Sequence, residues 1–104
     1  MALQIEQKII MMDEDDRDEL MRVHMEMDAT ANILAKIISE GLNIDTQQFR
    51  DYEEYYRELY ADYDRLKNHV TEKYIENNPE VDKDAVLGWN AKYASCELIV
   101  DVRV

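Results

Sequence analysis

The sequence predicts an α+β protein, mainly α: a long antiparallel helical hairpin with a short third helix and a small sheet built from the N- and C-terminal strands. Three observations carry this. Phe49, Tyr52, Tyr56, Leu59, Tyr63, Leu66 and Val70 recur at alternating steps of three and four, which sets all seven on one stripe of an α-helix. A second helical stripe runs from Leu20 through Val23, Met27, Ala31 and Leu34 to Ile38. Both chain ends alternate with the two-residue period of a strand.

Residues 2 to 11 place Leu3, Ile5, Ile9 and Met11 on one side and Gln4, Glu6 and Lys8 on the other, a strand pattern that falters at Gln7 and Ile10. The run Asp13 to Glu19 then holds six acidic residues and one basic, a local net of -5. Carboxylates there stabilise the positive end of a helix, with Asp13 or Asp16 expected as N-cap. That helix extends to about Glu40, with His24 beside Val23 on its inner stripe, and Gly41 supplies the left-handed residue that closes it. Asp13 with Arg17 and Asp18 with Arg22 are spaced as i,i+4 pairs.

So short a connection after Gly41 makes the next helix an antiparallel neighbour. Its start reads as Asp45 capping, Gln48 returning a bond, and Ile44 stapled to Phe49. Asn77-Asn78-Pro79 stops it, because proline lacks the amide proton and disfavours α geometry in the residue before it. A helix of about 32 residues, roughly 48 Å long, is expected. Tyrosines are middling helix formers, so burial of the stripe has to hold it.

Val81 to Tyr93 is assigned to a third helix capped by Asp82, with Val86, Trp89 and Tyr93 on one side. Gly88 costs that helix about 1 kcal/mol. The alternation of Trp89, Ala91 and Tyr93 with Asn90 and Lys92 keeps a strand as the alternative. At the end, Leu98, Val100, Val102 and Val104 alternate with Glu97, Ile99, Asp101 and Arg103, a strand expected to pair with the first one unless another molecule extends it.

One hundred and four residues fit a single domain, 1–104. Twenty-four acidic residues against twelve basic give a net charge of -12, which repels phosphate and argues against direct contact with nucleic acid or an anionic membrane. The expected partner is a basic surface of a protein. Cys96 is the sole cysteine, so an intrachain disulfide is excluded and a reducing, cytoplasmic setting is expected. Residues 1 to 12 lack the basic and apolar regions of a secretory leader, and no apolar run reaches membrane-spanning length.

Catalysis finds no support in the motifs, and no cofactor or metal is expected. The positions three before His24 and His69 are Met21 and Leu66, not the glutamates of a di-metal bundle site. Ser39, Ser95 and Cys96 have no nucleophile elbow around them, and two glycines leave no phosphate loop. Cys96, at the start of an apolar strand, is expected to be a buried, inert thiol.

The expected function is therefore non-catalytic protein binding. One version is a nucleic-acid mimic, a rigid hairpin whose carboxylates occupy a basic groove that otherwise receives phosphates. By class, this resembles the small inhibitors of phages and mobile elements, including many anti-CRISPR and anti-restriction proteins, although no motif links the chain to a named family. Asp15, Asp16, Glu54, Glu58, Asp62 and Asp64 are its contact residues. The alternative is an adaptor or regulatory protein that holds a protein, a peptide or a second copy of itself through Tyr55, Tyr60, Met21 and Met25.

Overall fold

The computed structural model describes residues 4–104, so Leu3 lies outside the described residues. The elements are β1 (Ile5–Met11), α1 (Glu14–Ser39), α2 (Gln47–Thr71) continued by a π turn (Glu72–Glu76), β2 (Val86–Lys92) and β3 (Glu97–Arg103). They divide into two compact units, one of Met1–Glu19 with Asn68–Val104 and one of Leu20–Lys67.

The second unit is the hairpin. Leu20, Val23, Met27 and Thr30 are the buried residues of α1, and Val23 and Met27 pack with Leu59, Tyr56, Tyr63 and Leu66 of α2. Small and aliphatic side chains of one helix thus meet aromatic ones of the other. The seam on α1 runs Leu20, Val23, Met27, Thr30, Leu34, Ile37, strict steps of three and four matching those of α2. Ile38, expected inside, is 60% exposed, and Thr30 takes a buried place because its hydroxyl donates to the Glu26 carbonyl at 2.8 Å.

Gly41 closes α1 as expected: at φ 68° it lets Leu42 N–H reach the Ile37 carbonyl at 3.1 Å and its own N–H reach that of Ile38 at 3.2 Å, the paired bonds of a Schellman motif. The start of α2 differs from expectation. Thr46 is the cap, its hydroxyl accepting from Phe49 N–H at 3.1 Å, while Asp45 N–H donates to the Asn43 side chain at 2.8 Å. That Asx turn holds Asp45 one residue short of the helix, and Ile44, expected as a staple, is 52% exposed. At the far end the helical run stops at Glu76, just before Asn77-Asn78-Pro79, through a π turn in which Asn77 N–H bonds the Glu72 carbonyl at 2.9 Å.

The first unit contains a three-stranded antiparallel sheet ordered β1-β3-β2. The N- and C-terminal strands pair as expected, from Ile5↔Arg103 to Met11↔Glu97. The third helix is not there. Lys83–Ala85 makes a 3₁₀ turn, with Asp82 accepting from Asp84 N–H at 3.1 Å, Val86–Lys92 is a strand on the other side of β3, and Tyr93–Ser95 is a second 3₁₀ turn. Gly88 disfavours helix, and β3, whose Leu98 and Val100 are fully buried, gains hydrogen bonds on both edges this way. Met12, Val70, Tyr74, Ile75 and Val81 are the other buried residues of this unit. Cys96 is half-buried, and it sits in the β2–β3 turn at φ 58° instead of within the strand.

Candidate functional site

Acidic charge is unequal between the units. The hairpin holds ten acidic residues against six basic, a net of -4, whereas the sheet unit holds fourteen against six, a net of -8. The largest concentration is the start of α1. Glu14, Asp15 and Asp16 occupy its first turn, where free N–H groups and the helix dipole favour anions.

Asp16 is engaged within the chain. Its side chain is 13% exposed, and Lys73 reaches its Oδ2 at 2.8 Å and that of Asp13 at 2.7 Å. Tyr74 donates its hydroxyl to the same Asp16 oxygen at 2.6 Å and accepts Asp13 N–H at 2.8 Å, while His69 Nε2 lies 3.4 Å from Asp16 Oδ1. Burial works against the charged carboxylate, but Lys73, Tyr74 and His69 outweigh it and hold Asp16 below the usual carboxylate range. Lys73 is raised by its bonds to Asp13 and Asp16, and Tyr74 by burial and then by its bond to Asp16. This network ties the N-terminal turn of α1 to the π turn, and Asp16 is a structural residue of it. Sequence reasoning missed the network because Lys73 and Tyr74 stand about sixty positions from their partners; the two acids at the helix start were the only signal.

Asp15 remains outside. It is exposed, and with Asp13, Glu14, Asp16 and Lys73 it lines a surface depression of about 550 Å³. Among the described residues neither Glu14 nor Asp15 forms an ion pair. Arg17, expected to pair with Asp13, bonds Asp18 at 2.6 Å and the Tyr93 carbonyl at 2.9 Å. Arg22, likewise, pairs with Glu26 at 3.4 Å instead of Asp18.

On α2, Glu54, Glu58 and Asp64 are exposed and form no ion pair among the described residues. Asp62 is half-buried and bound to Arg65 at 3.0 Å, and Glu53 to Arg57 at 3.9 Å. Arg50, Arg57 and Arg65 are exposed as well. By helical spacing they share the outward side with Glu54 and Glu58, so the acids there are interleaved with guanidinium groups.

The tyrosines divide. Tyr55 is 43% exposed, but its hydroxyl donates to Glu26 Oε2 across the hairpin at 2.9 Å, a bond that raises its pKa. Tyr60 is 58% exposed, its ring centroid 6.5 Å from that of Tyr56. Met25 is 64% exposed and Met21 half-buried. Sequence reasoning overlooked the loop end of the hairpin, where Ile38, Leu42 and Ile44 are each more than half exposed. Ile38 had been assigned to the seam and Ile44 to a staple, which hid them.

His24 lies 3.6 Å from Asp28 and stacks at a tilt on Tyr63, centroids 5.3 Å apart. Among the described residues, no three His, Cys, Asp or Glu side chains converge in a way that could hold a metal ion, and no helix is long and apolar enough to cross a membrane. Comparison of the chain with family models, curated proteins and solved structures gives no match.

Proposed function

We propose that this chain is a non-catalytic protein-binding module whose contact is made by the hairpin through apolar and tyrosine side chains. The observation that supports this is the group Ile38, Leu42 and Ile44, all more than half exposed within seven residues at one end of the hairpin. A single exposed aliphatic residue is ordinary in a folded protein; several adjoining ones are typical of protein contact surfaces. Tyr60 and Met25 add exposed area of the kinds enriched at such contacts. A reducing, cytoplasmic setting belongs to the same reading, supported by the single cysteine.

The charge-decoy reading is kept as the second, because Glu54, Glu58 and Asp15 are exposed and outside the ion pairs. Interleaved arginines on α2 and the engagement of Asp16 by Lys73 weigh against it. Salt separates the two. Capture of partners on the immobilised full chain, followed by mass spectrometry, is run at about 0.1 M and about 1 M salt, between which the screening length falls from about 10 Å to about 3 Å. A partner held equally at both supports apolar contact. One lost at the higher salt, and bearing a basic groove, replaces this reading with the decoy.

A further inference from the structure

The outer edge of β1 carries no backbone partner among the described residues. Gln4 and Met12, which flank β1, bond the residues that flank β3: Val104 N–H donates to the Gln4 carbonyl at 3.0 Å, and Met12 N–H donates to the Cys96 carbonyl at 2.8 Å. Hydrogen-bonded pairs in an antiparallel ladder recur at every second residue. Glu6, Lys8 and Ile10 therefore turn their amides and carbonyls toward β3, and Ile5, Gln7, Ile9 and Met11 turn theirs to the free side. Among the described residues no turn, loop or cap backbone bond reaches that edge. The strand is seven residues long and contains no proline, so it lacks two of the usual devices that blunt an edge. Its free-edge residues Ile5, Ile9 and Met11 are 55%, 62% and 61% exposed.

We propose that β1 pairs antiparallel with β1 of a second copy about a two-fold axis through Gln7, joining two three-stranded sheets into one. The strand sequence selects that centre. About Gln7, Ile5 of one copy faces Ile9 of the other and Gln7 faces Gln7, all residues whose backbone groups point outward. About six inter-chain backbone bonds result. Glu6 then lies opposite Lys8 twice, in the closer, non-hydrogen-bonded positions. Centring on Glu6 or Lys8 sets like charges face to face, and centring on Ile9 sets Lys8 against Ile10. Gln7 is the only centre in the strand that matches both charges. Lys8 Nζ donates to the Glu80 carbonyl at 2.5 Å, which holds the ammonium on the Glu6 side of the sheet.

The test is the oligomeric state of the full chain by sedimentation equilibrium, with circular dichroism confirming that each variant folds. The wild type is expected to be a concentration-dependent dimer. Gln7→Pro removes an outward N–H and the exposed side-chain bond to Asp101 at 3.3 Å but leaves the backbone bonds to β3, and is expected to give a monomer. Glu6→Lys and Lys8→Glu, taken singly, place two like-charged pairs across the axis and are expected to weaken the dimer about tenfold or more. Mixing those two variants restores opposite charges at both positions, so a heterodimer of wild-type affinity is expected. A chain monomeric at every concentration overturns the proposal, as does a dimer indifferent to the single reversals or a mixture that fails to reassociate. Should Gln7→Pro fail to fold, the mixing experiment decides alone. None of these results depends on which partner the hairpin holds.

Discussion

Replacing Tyr74 by phenylalanine isolates the network that ties α1 to the π turn. The ring, 8% exposed, is kept, so no cavity forms and only the hydroxyl is lost. That hydroxyl makes two bonds, one to the Asp16 carboxylate at 2.6 Å and one from Asp13 N–H at 2.8 Å. A hydrogen bond to a charged group contributes about 1.5–3 kcal/mol and a neutral one about 0.5–1.5 kcal/mol. Asp16 keeps Lys73 and His69, and Asp13 is exposed enough for water to replace its lost partner, so the low end of both ranges applies. The expected loss is about 2 kcal/mol, read as a fall of about 8 °C in Tm or as an equivalent shift in urea midpoint. The loss should shrink with acidity, because protonated Asp16 no longer rewards the bond. Asp16 is held below its ordinary 3.8, so its contribution is complete above that value and disappears as pH drops through the lower folded value. A loss under about 0.5 kcal/mol at neutral pH, or one that does not shrink as pH falls below 3.8, refutes the reasoning.

The wild type should lose stability at both ends of the pH range. On the alkaline side, Lys73 is raised above 10.5 and Tyr74 above 10.0, so the stability they confer is intact below about pH 10 and falls as pH rises beyond it; a urea midpoint constant from pH 7 to 11 contradicts this. Thr46→Ala should cost about 1 kcal/mol, whereas Asp45→Ala should cost little, and comparing their thermal melts distinguishes the observed cap from the one expected from sequence. Gly41→Ala forces a side chain into the left-handed region at φ 68° and should cost about 1–2 kcal/mol in the same assay, although no residue beyond its chain neighbours comes within 4 Å of the added carbon among the described residues. Leu98→Ala removes a fully buried side chain from the central strand and should cost about 2–5 kcal/mol by urea unfolding.

The hairpin was legible because its signal is long. Seven positions from Phe49 to Val70 repeat one spacing, and Phe49, Leu59 and Val70 are buried as that spacing requires. Gly41 was legible because only a left-handed residue completes the bond pattern at that helix end. Val81 to Tyr93 was not, since a segment of that length supports both periods and its outcome was decided by the needs of β3. The cap of α2 was misplaced by one residue because aspartate and threonine stand side by side and Asn43 claims the Asp45 amide. On the site side, an aspartate in an acidic run looks solvated from sequence, and nothing local announces that Lys73 and Tyr74 meet Asp16. Exposure at Ile38 and Ile44 was hidden for the opposite reason: helical spacing and staple rules each gave them an inside place.

The central claim, that the hairpin holds its partner through apolar contact, is tested most directly by comparing two variants of the full chain against a captured partner. One carries Ile38→Ser with Ile44→Ser, and the other Glu54→Lys with Glu58→Lys; all four positions are exposed, so both should fold. The measurement is the dissociation constant by calorimetry. Affinity at least tenfold weaker in the serine variant, and nearly unchanged in the lysine variant, is the predicted result. The reverse pattern would contradict the account and assign the contact to charge.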